Sequence, residues 1–262
     1  MEDSPDVRLH DLPKQVVGLY SFPKSGNTWL RQIVASALDI PQNQLHRYVT
    51  DMHYGKIMQN PFIYNDTRWY IYKSHHRELV SEHRGQVFKN DKVVYIYRHP
   101  LDVFLSYVNF VSKNVESKAA ALLQFEIESV ESLTPDQLDS LFSVFLVFGT
   151  IAPQNRAFGG YFEHVHTAFA LKESGFPIHI LRYEDLHTNF DATASGVFEF
   201  LGFKNIDTQK IYSEADRRTA QDGKFFWKRQ TENYRNYLTD RQIGKFMDTF
   251  AEQMKLLGYA AS

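Results

Sequence analysis

The sequence predicts an α/β fold in which a central parallel β-sheet is flanked by helices. Four short runs rich in Val, Ile and Tyr have the composition of strands that are covered on both faces: residues 15–21, 68–74, 92–98 and 177–183. Longer stretches between them carry apolar residues at helical spacing, for example Leu101, Phe104, Leu105, Val108 and Val111. Strands that alternate with helices in this way are typical of a parallel sheet.

The length and composition indicate one domain without a global charge. The 262 residues are 43% hydrophobic, enough to bury a substantial core, and no repeat or linker marks a boundary. We therefore expect residues 1–262 to form a single domain with a flexible N-terminus at residues 1–14. The net charge of -2 argues against nucleic acid as a partner, so any anion site must be local.

Cysteine and long apolar runs are both absent from the sequence. The lack of cysteine excludes disulfides, thiolate metal sites and cysteine nucleophiles. The N-terminus is polar and acidic, and no apolar run approaches the roughly 18 residues that a membrane span needs. These features predict a cytoplasmic protein that does not contact the membrane.

The first predicted strand runs into residues 23–29, PKSGNTW, which have the physics of an anion-binding loop. Backbone N–H groups from Ser25 to Trp29 would open a helix whose positive end attracts an anion, with Lys24 as a point charge. The Gly-Lys-[Ser/Thr] order of a loop that binds Mg²⁺ with a nucleoside triphosphate occurs nowhere in the chain. A capped helix after a turn explains the same seven residues equally well when they are taken alone.

Polar clusters also follow the other three predicted strands. The second strand ends in residues 73–76 (KSHH), the third in 98–100 (RHP) and the fourth in 183–185 (YED). Because parallel sheets bind ligands at the carboxyl ends of their strands, all four clusters should meet at one edge.

With these clusters, the sequence resembles the sulfotransferases that use 3'-phosphoadenosine 5'-phosphosulfate (PAPS). The family's P-K-S-G-T-T-W loop is matched by residues 23–29, with Asn27 in place of a threonine, and its K-[ST]-H by residues 73–75. Its R-x-P-x-D-x-x-x-S-Y is matched by residues 98–107, and its Y-E-D-L by residues 183–186. The resemblance covers nearly the whole chain. It implies a nucleotide-binding core like that of the P-loop NTPases.

The resemblance also implies the ligands and the residues that bind the nucleotide. PAPS would be the co-substrate and adenosine 3',5'-bisphosphate (PAP) the product, with no metal required and a monomer or homodimer as the assembly. The implied nucleotide-binding residues are Lys24, Ser25, Gly26, Asn27, Thr28, Trp29, Arg98, Ser106, Tyr183, Lys228 and Arg229. For Arg98, a structural pair with Asp102 is the competing interpretation.

The chemistry of sulfuryl transfer suits three of the matched residues. A sulfuryl group carries less negative charge than a terminal phosphoryl group, so lysines can replace Mg²⁺. Lys24 would stabilise the leaving bridging oxygen and Lys73 the sulfuryl oxygens, while His75 matches the family's general base. In an extended backbone, His75 and His76 point to opposite faces, so only one of them should enter the site.

The C-terminal segment departs from the family pattern. Where the family has Arg-Lys-Gly, this chain has Trp227, Lys228 and Arg229, and we expect Lys228 and Arg229 to bind the 3'-phosphate in their place. His164 and His166 lie on a predicted helix and show no metal-ligand spacing, so a structural or solvent-facing role is expected for them.

The acceptor is predicted only as a class. Aromatic residues beside the predicted sulfuryl site would favour a small hydrophobic acceptor with a hydroxyl or amine: Phe22, Trp69, Tyr72, Phe110 and Phe142. Two other functions stay open at this point. A small-molecule or nucleotide kinase should carry the Gly-Lys-[Ser/Thr] order and a Mg²⁺-binding aspartate, whereas a non-catalytic PAP-binding module would not need Lys73 and His75.

Overall fold

The computed structural model describes residues 11–53, 60–79, 81–83, 86–114, 125–220 and 228–259. Most of the predicted flexible N-terminus and Trp227 lie outside these ranges. The described residues form an α/β domain with a central, mainly parallel sheet between two layers of helices, as the sequence predicts.

The strands of the central sheet lie in the order β2-β4-β1-β7-β8, with β3 antiparallel to β4. The four strands predicted from the sequence are confirmed as β1, β4, β7 and β8, and all of them run parallel. A separate hairpin pairs β5 with β6. The bounds are β1 Lys14–Tyr20, β2 Val49–Asp51, β3 Phe62–Tyr64, β4 Thr67–Ser74, β5 Ser81–His83, β6 Gln86–Phe88, β7 Lys92–Tyr97 and β8 Ile178–Arg182.

Helices connect the strands and cover both faces of the sheet. Within the described ranges they are α1 Asn27–Ala37, α2 Leu45–Tyr48, α3 Pro100–Ser112, α4 Pro135–Phe148, α5 Tyr161–Glu173, α6 Tyr183–Thr188, α7 Phe190–Leu201, α8 Thr208–Ala220, α9 Asp240–Thr249 and α10 Ala251–Leu256. In the part of the chain that the structure describes, no helix is long and apolar enough to cross a bilayer.

Side-chain alternation along the strands separates the core into two layers. On β1, Val17 and Leu19 pack with residues of α1, α7 and α8, whereas Val16 and Tyr20 pack with residues of α3, α4 and α5. Because successive side chains of a strand point to opposite faces, each central strand contributes to both layers. Both faces of the sheet are therefore apolar, which explains the continuous apolar runs in the sequence.

The carboxyl ends of β1 and β4 are tied together by Asn27 at the start of α1. Its Nδ2 donates to the carbonyl oxygens of Leu19 at 3.0 Å and Ser74 at 3.2 Å. The amide side chain, which stands where the family has a threonine, thus holds the loop of residues 23–29 against β4, the strand that carries Lys73.

Candidate active site

A cavity of about 230 Å³ opens at the carboxyl ends of the parallel strands. It is lined by residues from four of the predicted polar clusters and from the C-terminal segment. The predicted site residues on its wall are Lys24, Gly26, Asn27, Thr28, Lys73, His75, Arg98, Ser106, Phe110, Tyr183 and Arg229. The structure therefore brings together most of the residues that the sequence singled out.

The loop of residues 23–29 turns sharply before α1 begins. Lys24 and Gly26 both adopt left-handed backbone conformations, with φ of 70° and 102°. A Cβ on Gly26 would lie 2.5 Å from the ring of Tyr183, so both the conformation and the space require glycine here. The first turn of α1 contains no acidic residue, which leaves its positive end unopposed by local charge.

Two further features of this loop fit an anion. Lys24 Nζ lies 4.6 Å from the centroid of the Phe110 ring at the cavity wall. Ser25 Oγ is buried and finds no hydrogen-bond partner among the described residues. The charge of Lys24 and the N-terminus of α1 therefore meet at one end of the cavity, whereas Ser25 is buried behind the wall.

Lys73, at the end of β4, forms a buried ion pair with Asp51 at the end of β2. Its Nζ lies 2.9 Å from Asp51 Oδ2, and the side chains are only 9% and 10% exposed. Burial alone would raise the pKa of Asp51, but the charge and hydrogen bond of Lys73 outweigh it and lower the pKa to about 2. Asp51 is therefore a carboxylate at neutral pH, and sequence reasoning did not identify it.

His75 is held as a neutral imidazole with a defined tautomer. Its Nδ1 lies 2.9 Å from the carbonyl oxygen of Ser21, which can only accept, so Nδ1 carries the proton. Burial and then the charge of Lys73 lower the pKa of His75 to about 3. The lone pair of Nε2 is consequently available, and the ring lines the cavity.

A buried histidine on α5 supports the backbone of His75. His164 Nε2 lies 3.1 Å from the His75 carbonyl oxygen, and its Nδ1 lies 2.7 Å from Tyr95 Oη. Nε2 therefore donates and Nδ1 accepts, and burial lowers the pKa of His164 to about 4. His164 is structural and His166 is exposed.

Both His75 and His76 line the cavity, which corrects the expectation that only one of them enters it. The expectation assumed an extended strand through both residues, but β4 ends at Ser74 and strand alternation stops there. Their contacts differ, because the backbone N–H of His76 donates to Ser74 Oγ at 3.0 Å.

Arg98, after β7, pairs with Asp102 and also lines the cavity. Its Nη2 donates to the carbonyl oxygen of Gln230 at 2.6 Å and lies 3.6 Å from Asp102 Oδ2. Its guanidinium also stacks 4.5 Å from the centroid of the Tyr183 ring. Arg98 Nε is buried without a partner among the described residues, so part of the guanidinium remains unsatisfied.

The C-terminal segment is anchored to α3 and reaches the cavity through one of its two predicted cations. Asp102 accepts the backbone N–H groups of Glu232 at 2.9 Å and Tyr234 at 3.0 Å. Arg229 lines the cavity and bonds to Asp216 and to Thr219 Oγ1, the latter at 2.9 Å.

Lys228 points elsewhere. It pairs with Glu131 at 3.2 Å, and that carboxylate raises its pKa. The cavity wall does not include it. The placement of Lys228 therefore does not match the predicted pairing of Lys228 with Arg229 at a single phosphate, because successive residues here turn to different sides of the segment.

Trp29 lies behind the cavity wall instead of on it. The indole is 4% exposed and packs edge-on against Tyr183, with ring centroids 5.7 Å apart, and against His187 at 5.0 Å. Of these two residues, which the resemblance implies as nucleotide-binding, Tyr183 lines the cavity and Trp29 packs behind it.

Four of the five aromatic residues predicted for the acceptor pocket are core residues. Phe22, Tyr72 and Phe142 are at most 1% exposed, and Trp69, on the opposite face of the sheet, is also buried. Tyr72 bonds to Tyr20 and Asn90 within the core. Residue type does not show which side of a layer an aromatic faces, and only Phe110 lies on the wall as predicted.

Other residues form the wall beside His75, and sequence reasoning missed them. They come from the segment after β2, from the end of α3 and from the loop before α5: Met52, His53, Asn114, Ala152, Asn155 and Phe158. The Phe158 ring lies edge-on to His75 with centroids 6.1 Å apart. These segments carry no long apolar run, so nothing in their pattern signalled a site. Among the described residues, no group of three or more His, Asp or Glu could hold a metal ion.

Comparison with known proteins gives one family match that covers most of the chain. A family described as "Sulfotransferase domain" matches residues 14–258. The chain is 25% identical to an amine sulfotransferase from Oryctolagus cuniculus over 237 residues, which is 87% of this chain and 68% of that protein.

Solved structures agree in fold. A mouse sulfotransferase, SULT7A1, complexed with PAP aligns with a TM-score of 0.63 at 19% identity, covering 98% of this chain and 91% of that chain. A retinol dehydratase in complex with androsterone and the inactive cofactor PAP aligns with a TM-score of 0.56 at 16% identity, covering 94% and 83%.

Proposed function

Because this chain belongs to the family of sulfotransferase domains, we propose that it transfers a sulfuryl group from PAPS to a hydroxyl or amine of a small acceptor. The observation that carries the proposal is the meeting of Lys24, Lys73 and a neutral His75 in one cavity. The PAP-bound solved structures of the same fold support PAPS as the donor.

We assign the proton transfer to His75. Its Nδ1–H is committed to the Ser21 carbonyl, so Nε2 accepts the proton of the acceptor hydroxyl or amine as that group attacks sulfur. A bond then forms between sulfur and the acceptor atom, and the bond between sulfur and the bridging phosphate oxygen breaks. PAP leaves with the electron pair of that bond.

We assign charge stabilisation to the two lysines. Lys24, beside the N-terminus of α1, stabilises the bridging oxygen as negative charge grows on it, and Lys73 neutralises the sulfuryl oxygens from the β4 side. Arg98, Ser106 and Arg229, on the other side of the cavity, bind the phosphates of the nucleotide. These assignments require no metal ion.

The wall beside His75 favours an acceptor with an apolar part and a polar part. Met52, Phe110 and Phe158 offer apolar surface, whereas His53 and Asn155 offer hydrogen-bonding groups. The androsterone-bound neighbour and the amine sulfotransferase relative support a small molecule of this kind. The cytoplasmic location and the monomeric or homodimeric state stay predictions.

Two alternatives are weaker. A kinase of related fold would need the Gly-Lys-[Ser/Thr] order, which the chain lacks. A non-catalytic PAP-binding module would have no use for the paired Lys73 and the neutral His75 at the cavity wall.

Thermal unfolding with two nucleotides tests the proposal. We expect PAP to stabilise the protein in excess chelator, by about 2.7 kcal/mol at a hundredfold excess over its dissociation constant. ATP with Mg²⁺ should stabilise it much less. The Lys73→Ala variant is the matched control for catalysis, because it should keep the PAP effect while its turnover of PAPS falls. Stabilisation by ATP with Mg²⁺ alone would support the kinase instead.

A further inference from the structure

The ion pair between Asp51 and Lys73 joins two strands in register. Asp51 is the last residue of β2, and its Cα lies directly opposite that of Lys73 in the parallel pairing of β2 with β4. The backbone continues this contact, since the N–H of Met52 donates to the Lys73 carbonyl at 2.9 Å. The pairing of β2 with β4 therefore places the Asp51 carboxylate beside the Lys73 ammonium.

Both oxygens of the Asp51 carboxylate have partners. Oδ2 accepts from Lys73 Nζ at 2.9 Å, and Oδ1 accepts from the backbone N–H of His53 at 3.1 Å. A carboxylate held at both oxygens cannot rotate freely, so it defines the position of the ammonium that it binds.

The strand that carries Asp51 is itself fixed by a buried cation of α1. Arg31 donates from Nε to the carbonyl oxygen of Val49 at 2.7 Å. Burial lowers the pKa of Arg31 to about 10, and the charge of Asp51 opposes that shift. The hydrogen bond of Arg31 therefore links β2, and with it Asp51, to α1.

Lysine on its own is poorly suited to a fixed position. Its ammonium ends a flexible four-carbon stem with three rotatable donors, and ordering that stem costs conformational entropy. At the cavity wall, Lys73 is 7% exposed, so a buried ammonium without a counter-charge would also be costly. Asp51 both fixes the position of the Lys73 ammonium and supplies its counter-charge.

We propose that Asp51 is a positioning residue for sulfuryl transfer, which holds the Lys73 ammonium in place and keeps it charged. This inference rests on the proposed function. Asp51 acts through Lys73 and has no contact with the reacting atoms in this role. Because Lys73 serves the departing sulfuryl group, losing Asp51 should lower kcat while the affinity for PAP, which has no sulfuryl group, changes little.

A double-mutant cycle tests the inference. Asp51→Ala should lower kcat by about 10- to 100-fold, because a misplaced catalytic group costs that much. The KM for PAPS and the Kd for PAP should stay within about threefold of wild type. Asp51→Glu should recover part of the lost kcat. In a Lys73→Ala background, Asp51→Ala should cost almost nothing further, since its partner is already gone.

Matched controls separate the possible failures. Asp39 pairs with Lys210 at 3.1 Å on the exposed surface, so Asp39→Ala removes an aspartate–lysine ion pair that lies away from the cavity and should leave kcat unchanged. If Asp51→Ala fails to fold, as judged by the absence of a cooperative thermal unfolding transition without ligand, Asp51→Asn replaces it in the cycle. Wild-type kcat in Asp51→Ala, or additive losses in the double variant, would overturn the inference. A wild-type protein that neither binds PAP nor transfers sulfuryl groups would instead overturn the proposed function.

Discussion

At the scale of single residues, hydrogen-bond partners distinguish the roles of adjacent side chains that the sequence alone leaves equivalent. His75 and His76 are adjacent and both line the cavity. His75 donates its Nδ1 proton to the Ser21 carbonyl, and the buried His164 donates to the carbonyl of His75 itself. This second layer of contacts fixes both the ring and the main chain of the proposed base.

We expect His75→Ala to lower kcat by about 10²- to 10⁴-fold, the usual cost of losing a general base. His76→Ala is the matched control and should reduce kcat far less. Both variants should bind PAP like the wild type in a thermal-shift assay. Because burial and Lys73 lower the pKa of His75, the acidic limb of the wild-type pH profile should lie well below pH 6.5. An inactive His76→Ala beside an active His75→Ala would show that the assignment is wrong.

At the scale of secondary-structure elements, continuous apolar runs made the buried strands predictable. Strand β2 was missed because three residues cannot display a periodic pattern, yet it supplies Asp51. The positions of Phe22, Tyr72 and Phe142 could not be predicted either, because packing between layers decides which side an aromatic ring faces. Motifs at strand ends were predictable, since the edge of a parallel sheet brings them together.

The C-terminal segment differs from the family pattern and gives the second prediction. Lys228 and Arg229 both adopt positive φ, 43° and 51°, without a glycine. Arg229 lines the cavity and Lys228 pairs with Glu131 outside it, so we now expect only Arg229 to bind the 3'-phosphate. Arg229→Ala should weaken PAP binding by roughly 1.5 to 3 kcal/mol, the contribution of a hydrogen bond to a charged group.

Titration calorimetry with two nucleotides checks this expectation. Adenosine 5'-monophosphate lacks the 3'-phosphate, so its affinity should hardly change in Arg229→Ala. Lys228→Ala is the matched control, because the neighbouring cation on the same segment should leave both affinities intact. Equal losses for both nucleotides in Arg229→Ala would mean that Arg229 does not recognise the 3'-phosphate.

At the scale of the whole molecule, buried neutral histidines couple folding to pH. Burial lowers the pKa of His99 to about 3 and that of His164 to about 4. In the unfolded chain, histidine takes up a proton near pH 6.5. Below that value the unfolded state binds more protons than the folded state, so stability falls as the pH decreases towards 4.

Urea unfolding at pH 7, 6 and 5 measures this coupling. The two histidines together should remove about 3 kcal/mol between pH 6.5 and 5, because each is half protonated in the unfolded chain at pH 6.5 and approaches about 1.36 kcal/mol per pH unit below that. His164→Asn should be less stable at pH 7 but should lose less on acidification. The exposed His166 of the same helix supplies the control, since His166→Asn should follow the wild type. If the stability of His164→Asn falls with decreasing pH as steeply as that of the wild type, the prediction is wrong.

The strand order has a consequence for how such an enzyme can diversify. In the sheet, β4 and then β2 lie on one side of the central β1, and β7 and then β8 lie on the other. The first side supplies Lys73, His75 and the wall at Met52 and His53, while the second supplies Arg98 and Tyr183. If the proposed function holds, the segments after β2 and before α5 can therefore change with the acceptor while the side that supplies Arg98 and Tyr183 keeps the same donor.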